Sequence, residues 1–63
     1  MEGTVKFFST TNNYGFITGE DSKDYFVHQS GVNDNATLRE NDKVTFDVEQ
    51  GDRGPKAVNV TKL

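Results

Sequence analysis

The chain is predicted to be all-β, a small five-stranded antiparallel barrel with no long helix. Two observations predict it. Short runs of alternating apolar and polar residues are separated by turn-forming residues, and no window repeats apolar residues every 3.6 positions. A length of 63 residues allows one domain, residues 1–63, and so short a chain buries only about 60% of its unfolded surface.

Each strand is assigned from its alternation and from the turns that flank it. The predicted strands are residues 3–8, 14–18, 24–29, 43–49 and 56–61. Polar turns separate them, and a longer irregular stretch, residues 30–41, has at most one turn of 3₁₀ helix near residues 30–32. Val32 and Leu38 are predicted to plug the core from this stretch. Five strands in so few residues suit a barrel of the oligonucleotide/oligosaccharide-binding type, because closure hides exposed strand edges.

The second and third strands place aromatic rings opposite their aliphatic side chains. Ile17 in YGFI (residues 14–17) and Val27 in YFVH (residues 25–28) are predicted to face the core, because successive side chains alternate between faces. The residues predicted on the outer face are Tyr14, Phe16, Phe26 and His28. A domain this small has no second layer to cover them, and an exposed row of flat rings is typical of a platform for nucleic-acid bases. In the last two strands, alternation predicts core positions for Val44, Phe46, Val48, Val58 and Val60.

The charge balance argues against a duplex binder driven by charge. The net charge is −3, from ten acidic residues against seven Lys and Arg. A binder that relies on stacking depends less on charge. Lys6 lies beside aromatics on the first strand, and Arg53 and Lys56 flank a Gly-Pro turn, so these cations are candidates for a local positive rim.

No catalytic, cofactor or metal site is predicted. The chain has no cysteine, and His28 is its only histidine, so a zinc site lacks the three or four ligands it needs. A flat sheet also offers no second group for acid–base catalysis by His28, which leaves a nuclease as the weakest hypothesis. No apolar run suggests a leader or a membrane span, so a cytoplasmic protein without membrane or small-molecule partners is expected.

Four segments, in order along the whole chain, resemble the cold-shock domain family. EGTVKFF (residues 2–8) resembles its opening strand, NYGFI (13–17) and YFVH (25–28) its two ribonucleoprotein motifs, and GDRGPKAVNV (51–60) its closing turn and last strand. The resemblance implies a non-catalytic barrel that binds single-stranded RNA and single-stranded DNA with low sequence specificity. It also implies an RNA chaperone in stress or cold adaptation, acting in translation or transcription antitermination. A monomer is the expectation for a closed barrel.

Carried over position by position, the resemblance implies a set of ligand contacts. These are Lys6, Phe7, Tyr14, Phe16, Phe26, His28 and Arg53, with Phe8 and Lys56 as additional candidates. Regular alternation along the strand would place Phe7 on the same inward face as Val5, whereas the resemblance implies that Phe7 faces outward. The second interpretation is preferred, because barrel strands commonly contain bulges.

The chain departs from the family pattern at several contact positions. Phe7 replaces a larger tryptophan, Asn12-Asn13 replaces a lysine-glycine pair, Gln29 replaces a phenylalanine, and the loop at residues 33–38 is short and lacks an aromatic. Each base–aromatic stack contributes about 1–3 kcal/mol. Binding weaker than that of a typical bacterial member is therefore expected. The alternative is a protein–protein interaction module on the same barrel, with weakened nucleic-acid binding.

Overall fold

The computed structural model describes residues 1–52 and 54–63 and confirms an all-β closed barrel. Its strands are β1 (Glu2–Ser9), β2 (Tyr14–Gly19), β3 (Asp24–His28), β4 (Lys43–Gly51) and β5 (Gly54–Lys62). Around the barrel they follow the order β1-β2-β3-β5-β4. The prediction of antiparallel neighbours throughout was wrong for β3 and β5, which pair in parallel. A closed ring with an odd number of strands cannot have every pair antiparallel.

The core lies inside the barrel and is closed by the segment between β3 and β4. Val32 and Leu38 are buried there, as predicted, and Val32 bridges to Val60 of β5. The buried apolar residues are Val5, Ile17, Tyr25, Val27, Val32, Leu38, Val44, Phe46, Ala57 and Val60. Ile17 and Val27 therefore face inward together with Tyr25, and the neighbouring rings of Phe16 and Phe26 face outward.

Two 3₁₀ turns, Gln29–Gly31 and Asn33–Asn35, follow β3 where the sequence predicted at most one. Gln29, predicted to end the third strand, instead begins the first turn. The strand stops at His28 because its Nδ1 accepts a hydrogen bond from the backbone N–H of Ser30 at 3.1 Å and so caps the turn. No helix in residues 1–52 or 54–63 is long and apolar enough to cross a membrane.

A register shift in β1 decides where its two phenylalanines point. Val5 pairs with Ile17, but Phe7 pairs with Phe16, so Lys6 is the extra residue of a bulge. Phe7 therefore shares the outer face with Phe16, as predicted, while Phe8 packs against the core. Gly15 allows β1 to lie this close to β2 at the bulge, since a Cβ there would collide with the carbonyl oxygen of Phe7 and the Cα of Phe8.

Two core predictions in the last strands were wrong. Val48 is 44% exposed, because the ladder between β1 and β4 ends at Thr45 and the carbonyl of Met1 accepts the backbone N–H of Phe46, so that Val48 lies two residues past these contacts. Val58 is only half-buried, because the register between β4 and β5 shifts and adds a residue to β5 near Asn59. The inward positions of β5 are therefore Ala57 and Val60, three residues apart instead of two.

Candidate nucleic-acid interface

Four aromatic rings from three neighbouring strands form one cluster on the outer face, called here the ring cluster. Its members are Phe7, Tyr14, Phe16 and Phe26. The Phe7 centroid lies 5.6 Å from that of Phe16, and the Phe26 centroid lies 5.8 Å from that of Tyr14. Tyr14 and Phe26 are nearly parallel, with 26° between their planes, whereas Phe16 and Phe26 meet edge to face at 76°. Each ring is half-buried and keeps part of its surface open.

His28 extends the ring cluster at the end of β3. It pairs with Tyr14 across the β2–β3 ladder and is exposed. Its Nδ1 accepts the Ser30 N–H and lies 3.0 Å from the Ser30 hydroxyl oxygen. In the neutral ring the proton therefore lies on Nε2, which is left to donate to a ligand.

An open groove of about 460 Å³ runs beside the ring cluster and is called here the main groove. Its lining residues are Asn12, Tyr14, Phe26, His28, Gly51, Asp52, Gly54 and Lys56. The groove thus brings the ring cluster together with the turn between β4 and β5. Arg53, a predicted contact, lies in this turn but outside the described residues.

Both described cations predicted at this face are paired with carboxylates. The Lys6 ammonium lies 2.9 Å from Oδ2 of Asp24, and Thr18 donates to Oδ1 of the same carboxylate at 2.9 Å. These bonds, that of Lys6 above all, lower the pKa of Asp24 below its usual value. Lys56 is held more loosely, 3.7 Å from Glu49. A phosphate that reaches these cations competes with carboxylates already in place.

Comparison with known proteins gives a consistent result over the full length. The family model described as the 'Cold-shock' DNA-binding domain matches residues 1–63. The chain belongs to the cold-shock domain family. It is 52% identical to the major cold shock protein of Streptococcus pyogenes serotype M18 over 98% of this chain and 96% of the relative. It is 57% identical to cold shock protein 2 of Lactiplantibacillus plantarum, covering 92% of this chain and 91% of the relative. The cold shock-like protein CspG of Escherichia coli K12 is 52% identical over 100% of this chain and 94% of its own length.

Within this cold-shock domain, the departures noted in the sequence have structural roles. The Gln29 side chain donates to the carbonyl oxygen of Ala36 at 3.2 Å and ties down the short loop. Asn13 has a φ of 61°, a conformation that favours glycine and that asparagine tolerates. The Asn13 carbonyl accepts the backbone N–H of Gln29 at 2.8 Å. At these positions the polar residues stabilise the loops beside the ring cluster.

The two additional candidate contacts, Lys56 and Phe8, lie in different environments. Lys56 lines the main groove, whereas Phe8 packs against the core and lies outside the ring cluster. Sequence reasoning missed Asp24, which lies 18 residues from Lys6 and meets it only through the sheet. The sequence holds no signal for this pairing, because it depends on the register of β1 on β2 and of β2 on β3.

Proposed function

We propose that this cold-shock domain binds single-stranded RNA and single-stranded DNA without catalysis and with low sequence specificity. The observation that carries the proposal is the ring cluster, which is continuous across three strands and opens onto the main groove. Aromatic rings stack on the face that every base possesses, so this mode of binding tolerates sequence variation. The proposed role is that of a cytoplasmic RNA chaperone in stress or cold adaptation, including translation or transcription antitermination.

The geometry supports a division of labour between rings and cations. Bases stack on Phe16, Phe26 and His28, and Phe7 and Tyr14 extend the platform on either side. The neighbouring centroids are 5.6–6.5 Å apart, so bases can engage adjacent rings in succession. Lys6, Lys56 and Arg53 are the proposed phosphate contacts. Because Lys6 and Lys56 are paired with carboxylates, they add less to affinity than unpaired cations would.

Titration of Phe16 variants with heptathymidine DNA and heptauridine RNA tests the stacking mechanism. We expect Phe16→Ala to weaken binding of both strands by at least about 1 kcal/mol, or roughly fivefold in Kd. Phe16→Leu retains apolar packing but has no flat face, so a similar loss is expected. Val48→Ala removes an exposed apolar side chain outside the ring cluster and is the control, with no change in Kd. Folded Phe16 variants that bind as tightly as the parent protein would remove the mechanism.

Salt separates this function from a protein–protein interaction module. Two or three neutralised phosphates on a single strand give a slope of log affinity against log salt of roughly −1.4 to −2.1. A hydrophobic protein interface would be nearly indifferent to salt. The titration is therefore repeated at two salt concentrations and against a duplex of the same sequence, which should bind more weakly because its bases are already stacked. A slope near zero would favour the alternative, whereas equal affinity for the duplex would show that the phosphates are bound and the bases are not.

A further inference from the structure

A second, smaller groove continues from the main groove over the junction of β3 and β5, and is called here the side groove. Its volume is about 220 Å³. Its lining residues are His28, Ser30, Gly31, Asn33, Lys56, Ala57, Val58 and Asn59. His28 and Lys56 also line the main groove, so the two grooves meet at these side chains. A strand that passes His28 is led into the side groove.

The side groove is lined by both polar and apolar side chains, the apolar ones being Ala57 and Val58. Among the described residues, its only ring is His28, at the mouth. The Asn59 amide donates from Nδ2 to Oδ2 of Asp47 at 3.1 Å. Because a carboxylate can only accept, the orientation of this amide is decided, and Oδ1 is left as an acceptor. Asn33 likewise donates from Nδ2 to the Thr61 hydroxyl at 2.9 Å. Oδ1 of Asn59 is therefore an acceptor among the lining residues of the groove, which also include the donors Lys56 and Ser30.

The backbone at Asn59 is unusual for the middle of a strand. Its φ is 52°, in the left-handed region, at the register shift of β5. This conformation is costly for most residues and least so for Asn and Asp. It allows Val60 to enter the core while Asn59 stays exposed beside the groove. This conformation therefore keeps the Asn59 amide at the surface of the side groove, which Lys56 also lines.

We propose that the side groove is a ribose subsite, which gives this protein a preference for RNA over DNA at one position of the strand. The proposal rests on the proposed function. Lys56 binds the phosphate that follows the nucleotide on His28, and Oδ1 of Asn59 accepts a hydrogen bond from the 2′-hydroxyl of the next sugar. A sugar is favoured over a base because the groove has an amide acceptor and, among the residues that the structure describes, no stacking ring beyond its mouth. Deoxyribose has no donor at this position.

The test compares heptauridine RNA with heptadeoxyuridine, which carries the same bases, on Asn59→Gly and a matched control. Glycine accepts the positive φ, so the variant removes the amide without straining the backbone. Asn41→Gly is the control, since Asn41 also has a positive φ, 71°, but lines neither groove. We expect Asn59→Gly to weaken RNA binding about three- to tenfold, the effect of one net hydrogen bond, and DNA binding less than twofold. Asn41→Gly should change neither.

Equal losses for RNA and DNA would assign the subsite to a base and overturn the proposal, as would no loss for either. A second measurement uses the unaltered protein with heptauridine strands that carry a single 2′-deoxy substitution at each position in turn. One position should show the three- to tenfold loss, and a uniform response along the strand would overturn the proposal. Phe16→Ala tests the proposed function separately. It should weaken the binding of RNA and of DNA alike, whether or not the side groove binds a ribose.

Discussion

At the scale of single residues, Lys6 shows that a cation on the proposed ligand-binding face can already be paired with a carboxylate of the same chain. Its ammonium group is bonded to Asp24, whose other carboxylate oxygen accepts from Thr18. The side chains of Lys6 and Asp24 are 58% and 44% exposed, so water and ions reach both charged groups. Exposed pairs of this kind contribute little to stability. Their effect here is to offset the charge that a phosphate would otherwise meet.

Asp24→Asn is expected to raise the affinity for heptathymidine about two- to fivefold at low salt, because Lys6 is released from its carboxylate. The gain should shrink as salt rises, since the freed charge is screened. Calorimetric titration at two salt concentrations measures both effects. Asp34→Asn makes the same change of charge at an exposed residue that lines neither groove, and it should give a smaller gain. Equal gains in the two variants would mean that only net charge matters.

At the scale of elements, bulges decide which residues of the strands are buried. In β1 the extra residue Lys6 turns Phe7 outward, and in β5 the shift near Asn59 moves the inward position from Val58 to Ala57. Val48 is exposed for a different reason, since β4 extends past its pairing with β1. The ring cluster and the side groove both lie next to such a bulge, where a side chain has been redirected.

Matched substitutions test whether β4 is buried in its first half, at Val44, and exposed in its second half, at Val48. Val44→Thr places a hydroxyl in the core, where Val44 is 0% exposed, and should lower the free energy of unfolding by about 1–3 kcal/mol. Val48→Thr makes the same chemical change at an exposed position and should alter it by no more than about 0.5 kcal/mol. Urea denaturation followed by far-UV circular dichroism measures both. Similar losses at the two positions would show that strict alternation extends along the whole strand.

At the scale of the whole molecule, polar bonds connect the loops to the barrel. The carboxylate of Asp42 accepts from the backbone N–H of Arg39 at 2.9 Å and lies 3.2 Å from the ammonium of Lys62. The Arg39 bond, then that of Lys62, lowers the pKa of Asp42 below its usual 3.8. Asp21 has a lowered pKa too, chiefly because the Tyr25 hydroxyl donates to it at 2.5 Å. Each of these bonds contributes little because the carboxylates are at least partly exposed, but a core this small leaves the stability marginal, so a small loss can be measured.

Acid is therefore expected to weaken the fold through these carboxylates. A group whose pKa is lowered in the folded state stabilises fully above its unfolded pKa, and this stability is lost as pH falls through the folded value. For Asp42 the loss begins as pH falls toward 3.8 and continues below it. Urea denaturation from pH 7 to pH 2 should show that Asp42→Asn is less stable at pH 7 and loses less stability in acid. Glu40→Gln, in the same loop, should follow the parent protein, and an identical acid response in Asp42→Asn would contradict the assignment.

The sequence alone determined the all-β class, the number of strands and the outward rings of YGFI and YFVH, because a two-residue alternation is a local property of the chain. It also indicated the family, whose motifs are contiguous segments. Only the tertiary structure decided the bulge at Phe7, the exposure of Val48 and the parallel closure of β3 on β5. It likewise decided the pairing of Lys6 with Asp24 and the meeting of the grooves at Lys56. These features depend on the register between strands distant in sequence, and no pattern within one strand specifies that register.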